Sequence, residues 1–211
     1  MLTTEVTKED IYLISKFVVE ENYKHHSTIL DSCNIKEEIS SIYNFEIDNL
    51  NNSIFHIKKD ELTLEILASI RSLRWDGITK LPIETIFNIE VNNFLSGRHY
   101  KDLWHIGRFA ISNKINSIKL LKDMIIGAIS PICDNERSIT LAECDQKLLR
   151  TLKTLGIHAQ IIGNPKIHLE SITYPVLFSY HTLLNFFLEN SKNFPVQQVF
   201  NKNKNMSLCL N

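Results

Sequence analysis

The hydrophobic spacing of this chain changes period part-way along, and that change limits the folds open to it. Up to about residue 50, apolar residues recur at helical intervals: Ile11, Ile14, Phe17, Val18 and Tyr23, then Ile35, Ile39, Ile42 and Tyr43. Thr7 is a helix-capping residue, with Glu9 and Asp10 in the first turn, where carboxylates meet the positive end of the helix. Two N-terminal helices are expected, the second over Ile35–Phe45. Asn49, Asn51, Asn52 and Ser53 then interrupt the periodicity as loop residues do, and alternation takes over. Ile54, His56 and Lys58 alternate with Phe55 and Ile57. Lys59-Asp60 reads as a turn, and Leu62, Leu64, Ile66, Ala68 and Ile70 share one face of a long returning strand.

Beyond Asp76-Gly77 and Pro82 the chain is mixed and partly helical to Leu95. A strand is expected over Asp102–Ile111. A helix carrying Ile115, Ile118, Leu121, Ile125, Ile126 and Ile129 follows and stops at Pro131. Ser138–Ala142 reads as a short core strand. Asp145 caps a helix with Leu148, Leu149, Leu152 and Leu155, which ends at Gly156. Ile157–Ile162 and Ile167–Thr173 read as strands around a Gly163-Asn164-Pro165 turn. Phe178–Leu188 is a closing helix or extended apolar segment. The order α, α, β, β, β, α, β, α, β, β implies an α/β fold, a mixed sheet with helices on both faces. No repeat or linker divides it, so one domain over 1–190 is expected, with an Asn/Lys-rich tail over 191–211 of mobile composition.

Composition narrows the function. Lys+Arg 23 against Asp+Glu 24 in 211 residues gives a net charge of -1, so no overall field draws the chain to nucleic acid or an anionic membrane. The 4 cysteines, Cys33, Cys133, Cys144 and Cys209, lie far apart, unlike a zinc module or a disulfide scaffold. No apolar run approaches the roughly 20 residues of a membrane span. The N-terminus has no signal-peptide profile, and a cytoplasmic protein is expected. His25-His26 with Asp31 lacks metal-site spacing, because adjacent histidines face different sides of a helix, and no metal is expected. Cys144-Asp145 follows a strand but has no flanking glycine, so Cys144 reads as a buried, inert thiol rather than a nucleophile.

The unusual stretch is Trp104–Ile111, which puts Trp, His, Gly and Arg into one strand. A glycine inside a strand marks a bulge or a close approach. With a bulge at Gly107, neighbouring amides turn away from the ladder and can stabilise the oxyanion of an acyl-transfer intermediate. His105 is then a proton acceptor suited to neutral pH, the alternative being a hydrogen-bonded, partly buried strand histidine.

Trp104-His105-Ile106-Gly107-Arg108-Phe109-Ala110-Ile111 resembles the Trp-Glu-x-Ser-Arg-Phe-x-Val segment of acyl-homoserine lactone (autoinducer) synthases, members of the GNAT superfamily of N-acyltransferases. Ala68-Ser69-Ile70-Arg71-Ser72-Leu73, Leu81–Phe87, Ile139-Thr140-Leu141 and Leu148–Gly156 are similar to further segments of that family, so the resemblance covers about Ile54–Val176. It implies a GNAT-like mixed, mostly antiparallel sheet whose central strands splay apart around the donor. The donor is then a thioester, acyl-CoA or acyl-phosphopantetheine on acyl carrier protein, acting as co-substrate with no tightly bound cofactor. The resemblance puts His105, Gly107 and the amide of Phe109 at the reaction centre. It puts Arg71, Arg108, Trp104 and Thr140 on the substrates, and Ile111, Asn113, Lys114, Asn116 and Ser117 around the donor's phosphate.

The departures matter as much. His105 stands for the family's Glu and Gly107 for its Ser, and Ser112–Ser117 holds no glycine-rich phosphate turn. The N-terminal aspartates that receive S-adenosylmethionine have no counterpart before Ser53. The implied acceptor is accordingly an amino acid or similar small amine. Two alternatives remain: an inactive GNAT-like domain that binds acyl carrier protein or another protein, and a small-molecule acetyltransferase using acetyl-CoA. Arg71 and Arg108 either hold a carboxylate acceptor or the donor's phosphopantetheine, or form an internal salt bridge to Glu65, Glu84 or Glu90.

Overall fold

Helical spacing near the N-terminus becomes two packed helices. The computed structural model describes residues 2–3, 6–26, 32–95 and 100–193; in it α1 spans Lys8–His26 and α2 spans Ser32–Asp48. Thr7 and Asp10 cap α1 reciprocally: Thr7 Oγ1 accepts the Asp10 amide at 3.2 Å, and Asp10 Oδ2 accepts the Thr7 amide at 2.9 Å. The second helix runs past the expected Phe45, through Glu46 and Ile47, whose side chains turn toward the sheet. The side chains of His25, His26 and Cys33, and all of residues 194–211, lie outside the described residues, as does most of the expected tail.

The strands are β1 (Leu2–Thr3), β2 (Ser53–Lys59), β3 (Ile66–Arg74), β4 (Asp102–Ile111), β5 (Ser138–Asp145), β6 (Ala159–Ile161), β7 (Lys166–His168) and β8 (Ser171–Phe178). They form one sheet in the order β1-β2-β3-β4-β5-β8-β6, and β7 shares the outer edge of β8 with β6. Every pairing is antiparallel except β4 with β5. Short helices α3 (Pro82–Phe87) and α4 (Asn92–Leu95) precede β4. α5 (Ile118–Ile129), α6 (Gln146–Thr154) and α7 (Tyr180–Asn190) occupy the second half. One face of the sheet packs Trp104, Ile126, Ile129, Leu152, Val176 and Phe186 together, and the other packs Leu73, Ile83, Leu103, Ile139 and Leu177. Ile11, Ile14 and Val18 of α1 close on Phe55 and Ile57.

Local chemistry overrides three expectations. The long strand starts at Ile66, not Leu62, because Asp60 Oδ1 accepts the amides of Leu62 and Thr63, each at 2.9 Å, and ties off a loop. Leu62 and Leu64 are left 94% and 69% exposed. The expected Ile167–Thr173 strand is a hairpin: Leu169 and Glu170, at φ 46° and 61°, turn the chain so that Ile167 pairs with Ile172. Phe178–Leu188 divides at Ser179, which caps α7 by accepting the Thr182 amide at 3.3 Å. Asp145 caps α6 as expected, accepting the Leu148 amide at 2.7 Å, and Gly156, at φ 83°, follows the helix end.

The feature that positions the site is the seam between β4 and β5. Their parallel pairing runs from Asp102↔Ser138 to Ile106↔Ala142 and ends there. β4 continues along β3 to Ile111 while β5 continues along β8 to Asp145, so the strands part at Gly107 and Glu143. The bulge lies one step later than expected. Gly107 pairs regularly with Arg71, whereas the register shifts before Ser69↔Ala110, making Arg108–Phe109 the irregular stretch. Arg108 adopts φ 55° there. Gly107 answers a different need, close approach: a Cβ on it would lie 3.1 Å from Arg71 Nη2 and 3.2 Å from His105 Cε1.

Candidate active site

Where the strands part, a cavity of about 140 Å³ opens between the sheet and the helices behind it. Ile106, Ala142, Ile125, Ile129, Leu152 and Leu183 give it apolar walls, and Cys144 joins them with a buried thiol pushed well above its ordinary pKa. Gly107, Arg108, Phe109 and Glu143 stand at its polar side. An apolar pocket with a few convergent polar groups is the usual form of a small-molecule site.

Those polar groups belong to a buried charge cluster. Glu143 leaves β5 at the first position beyond the seam, and its Oε1 and Oε2 lie 2.8 and 3.0 Å from His105 Nε2. The other ring nitrogen, Nδ1, lies 3.0 Å from Arg71 Nη1. A guanidinium only donates, so Nδ1 accepts and Nε2–H donates to the Glu143 carboxylate. Arg71 Nη1 also donates to the His105 carbonyl at 2.9 Å, and Nη2 to Glu46 Oε1 at 3.2 Å. Arg108 Nε donates to the same Glu46 carboxylate, and both guanidinium groups lie over the Phe45 ring, 5.8 and 5.6 Å from its centroid. The counter-charge for both arginines is therefore Glu46 of α2, not Glu65, Glu84 or Glu90.

Burial alone lowers the His105 pKa, Glu143 opposes that, and Arg71 and Arg108 add to it, leaving the imidazole neutral. For Glu143 burial works upward, but His105, Arg108 and Arg71 outweigh it and hold the carboxyl below its ordinary value. Glu46 behaves alike under Arg71 and Arg108. With a neutral imidazole the cluster balances: Glu46 and Glu143 against Arg71 and Arg108.

The residues expected at the reaction centre and on the substrates fall into three sets. Gly107, Phe109 and Arg108 line the cavity, and among the described residues the outer nitrogens of Arg108 have no hydrogen-bond partner. His105 and Arg71 are fully buried and do not line it; they stand behind Glu143. Trp104 and Thr140 pair with each other in the seam below the opening, where the Thr140 hydroxyl is buried without a partner. Glu143 and Glu46 were not among the expected residues. The signal for each was present: an acid inside the apolar run Ser138–Cys144, and another between Phe45 and Ile47.

A second groove, of about 570 Å³, adjoins the first through Phe109, Asp145 and Leu148. Ile111, Asn113, Asn116 and Ser117 line it, together with Glu21 of α1 and Lys147 and Thr151 of α6; Lys114 does not. Ser117 caps α5, accepting the Leu120 amide at 3.2 Å. Among the described residues no helix is long and apolar enough to cross a membrane.

Neither a family model nor a curated protein sequence matches the chain. Solved structures do match its shape. FeeM, an N-acyl amino acid synthase from uncultured soil microbes, is 12% identical with a TM-score of 0.60, over 88% of this chain and 98% of that one. A GNAT-family acetyltransferase from Staphylococcus aureus Mu50 is 11% identical with a TM-score of 0.53, over 84% and 98%. BjaI, a CoA-dependent acyl-homoserine lactone synthase solved with SAM and isopentyl-CoA, is 14% identical with a TM-score of 0.51, over 90% and 88%. The mostly antiparallel sheet, its one parallel seam opening at Gly107 and these likenesses together give the chain the GNAT fold, resembling that of the autoinducer synthases.

Proposed function

We propose that the protein is an N-acyltransferase that moves an acyl group from a thioester, acyl-CoA or acyl carrier protein, to the amine of an amino acid or similar small molecule. The observation that carries this reading is the parting of β4 and β5 at Gly107 and Glu143, beside an apolar cavity with an ionised carboxylate at its polar side. FeeM, similar in fold, is an N-acyl amino acid synthase, which supports the acceptor class.

In this reading the acyl chain lies in the cavity and the thioester carbonyl sits where β4 has lost its partner strand, near the Phe109 amide. The acceptor's carboxylate meets the outer nitrogens of Arg108, and its amine faces Glu143. The amine nitrogen attacks the carbonyl carbon, and its proton becomes acidic as the C–N bond forms. Glu143 takes that proton, the oxyanion rests on strand amides, and collapse breaks the C–S bond. The sulfur leaves as a thiol after receiving the proton from Glu143. His105 is a positioning residue: it never touches the acceptor, but its Nε2–H and the Arg71 behind it fix the Glu143 carboxylate. Asn113, Asn116 and Ser117, which line the adjoining groove, face the phosphate end of the donor.

The test is intact-mass detection of N-acyl product from a panel of acyl-CoA and acyl carrier protein donors with amino acids and simple amines. Glu143→Gln, which keeps an oxygen to accept from His105 Nε2–H, should lower turnover by about 10²–10⁴-fold. Unchanged turnover removes Glu143 from the mechanism. Donor binding with no product across the panel refutes the transferase and leaves a carrier-protein binding domain.

A further inference from the structure

Forming an amide from a free amine releases two protons, and the mechanism above uses one of them. An amine is protonated at neutral pH and cannot attack, so it must lose a first proton before the C–N bond forms and a second one afterwards. Glu143 carries the second to the leaving sulfur. It cannot hold the first as well, because one carboxylate takes one proton, and His105 and the two arginines keep this one ionised. The other titratable groups on the cavity wall are Arg108, Cys144, Asp145 and His168. Arg108 only donates, burial keeps the proton on Cys144, and Asp145 is engaged in capping α6. His168 is left.

His168 stands between two spaces. With Leu169 it lines both the cavity and a groove of about 390 Å³, along which Glu37 and Glu170 are exposed to solvent. The hairpin turn that holds it there has no glycine, although Leu169 and Glu170 take positive φ, a conformation that side chains disfavour. Leu169 pays for this by packing against Val19, Tyr23, Ile39 and Ile42 of α1 and α2, and Ser171 Oγ donates to the His168 carbonyl at 3.1 Å. The backbone is thus clamped, while the ring has no hydrogen-bond partner among the described residues. The charges around the ring are Glu37 and Glu38 of α2, Glu143 of β5, Arg108 of β4 and Glu170 of its own turn, with Tyr23 of α1 on the same groove. Burial holds its pKa below the ordinary 6.5 against Glu38 and Glu143, with Arg108 adding to burial, so the imidazole is neutral at pH 7.

We propose that His168 is a second catalytic residue, which takes the first proton from the acceptor's ammonium in the cavity and passes it to water in the groove. Ammonium and neutral imidazole become amine and imidazolium, and the imidazolium returns to neutral by giving its proton to water. The net reaction, ammonium and thioester to amide and thiol, releases one proton to solvent. The inference rests on the transferase reading above and adds a residue to it.

The test is kcat/KM of the wild type, His168→Gln and His168→Ala for the amino acid or amine that gives most product, at pH 7 and at about pH 9.5. At pH 7 both variants should lose about 10²-fold. Near pH 9.5 the solution itself supplies neutral amine, and the deficit should shrink to a few-fold. With hydroxylamine as acceptor, whose nitrogen is already unprotonated at pH 7, the deficit should be equally small. Glu143→Gln should by contrast lose rate at both pH values, because the second proton is released in every case. No loss at pH 7 in either His168 variant overturns the proposal. So does a loss of the same size at both pH values or with hydroxylamine, which is what a merely structural residue gives. Absence of product from the wild type with every donor and amine refutes the transferase reading itself and takes this inference with it.

Discussion

Replacing His56 by asparagine should make folding less sensitive to mild acid, by an amount the structure sets. His56 lies on β2, 1% exposed, with its ring pressed on α5: a Cβ on Gly127 would sit 2.8 Å from its Nδ1. Burial pushes its pKa down from 6.5 to about 4, against the partial opposition of a hydrogen bond to the Gly127 backbone. The folded state therefore binds the proton more weakly than the unfolded chain. This contribution to stability is complete above about pH 6.5 and drains away as the pH falls toward 4. The gap between those values corresponds to about 3 kcal/mol lost by pH 4, and to about 2 kcal/mol at pH 5. For a chain of this length about 2 kcal/mol lowers the melting temperature by roughly 4–8 °C. Urea unfolding followed by circular dichroism at pH 7.5 and 5.0 compares the wild type with His56→Asn, which keeps a neutral donor near Gly127. The wild type should lose about 2 kcal/mol more than the variant between the two conditions. Equal losses would refute the argument, because the proton would then be taken up elsewhere.

Two further substitutions probe the opening between the strands. Gly107→Ala places a methyl against Arg71 and His105, which Glu46 and Glu143 hold in place, so it should cost about 1–3 kcal/mol and disturb the Glu143 carboxylate. A variant with unchanged melting temperature and turnover would show that this crowding is relieved. Ala142→Leu narrows the cavity where it begins. The kcat/KM ratio of long-chain to short-chain donors should fall about tenfold, at about 0.8 kcal/mol for each methylene excluded. A ratio that does not move places the acyl chain elsewhere.

Much of the scaffold could be read from side-chain period because burial enforces it. Thr7, Asp145 and Gly156 punctuate helices in the sequence as they do in space. Leu62 and Leu64 were misleading, since they keep the alternation of a strand while the Asp60 side chain captures the amides a strand would need. Leu169 and Glu170 turn a hairpin with neither Gly nor Asn to announce it. In the candidate site, Gly107 lies where β4 and β5 part, but the bulge fell at Arg108–Phe109 and the cavity's carboxylate came from β5. Glu143 escaped notice because its neighbours Ala142 and Cys144 mark a core strand, and only the end of the seam turns that position outward. Glu46 escaped because a contact between residues 46, 71 and 108 leaves no trace in local spacing.

The Glu46 contacts bear on how this sequence can drift. One acid from α2 bridges two arginines carried by adjacent strands, and with Glu143 it balances them in a medium where a lone charge is very costly. Losing Glu46 alone leaves two buried cations facing only Glu143, and losing either arginine alone leaves one carboxylate charge in excess. Related chains should therefore exchange positions 46, 71 and 108 in concert, so that covariation among them, more than invariance at any one, is the mark this site leaves on its lineage.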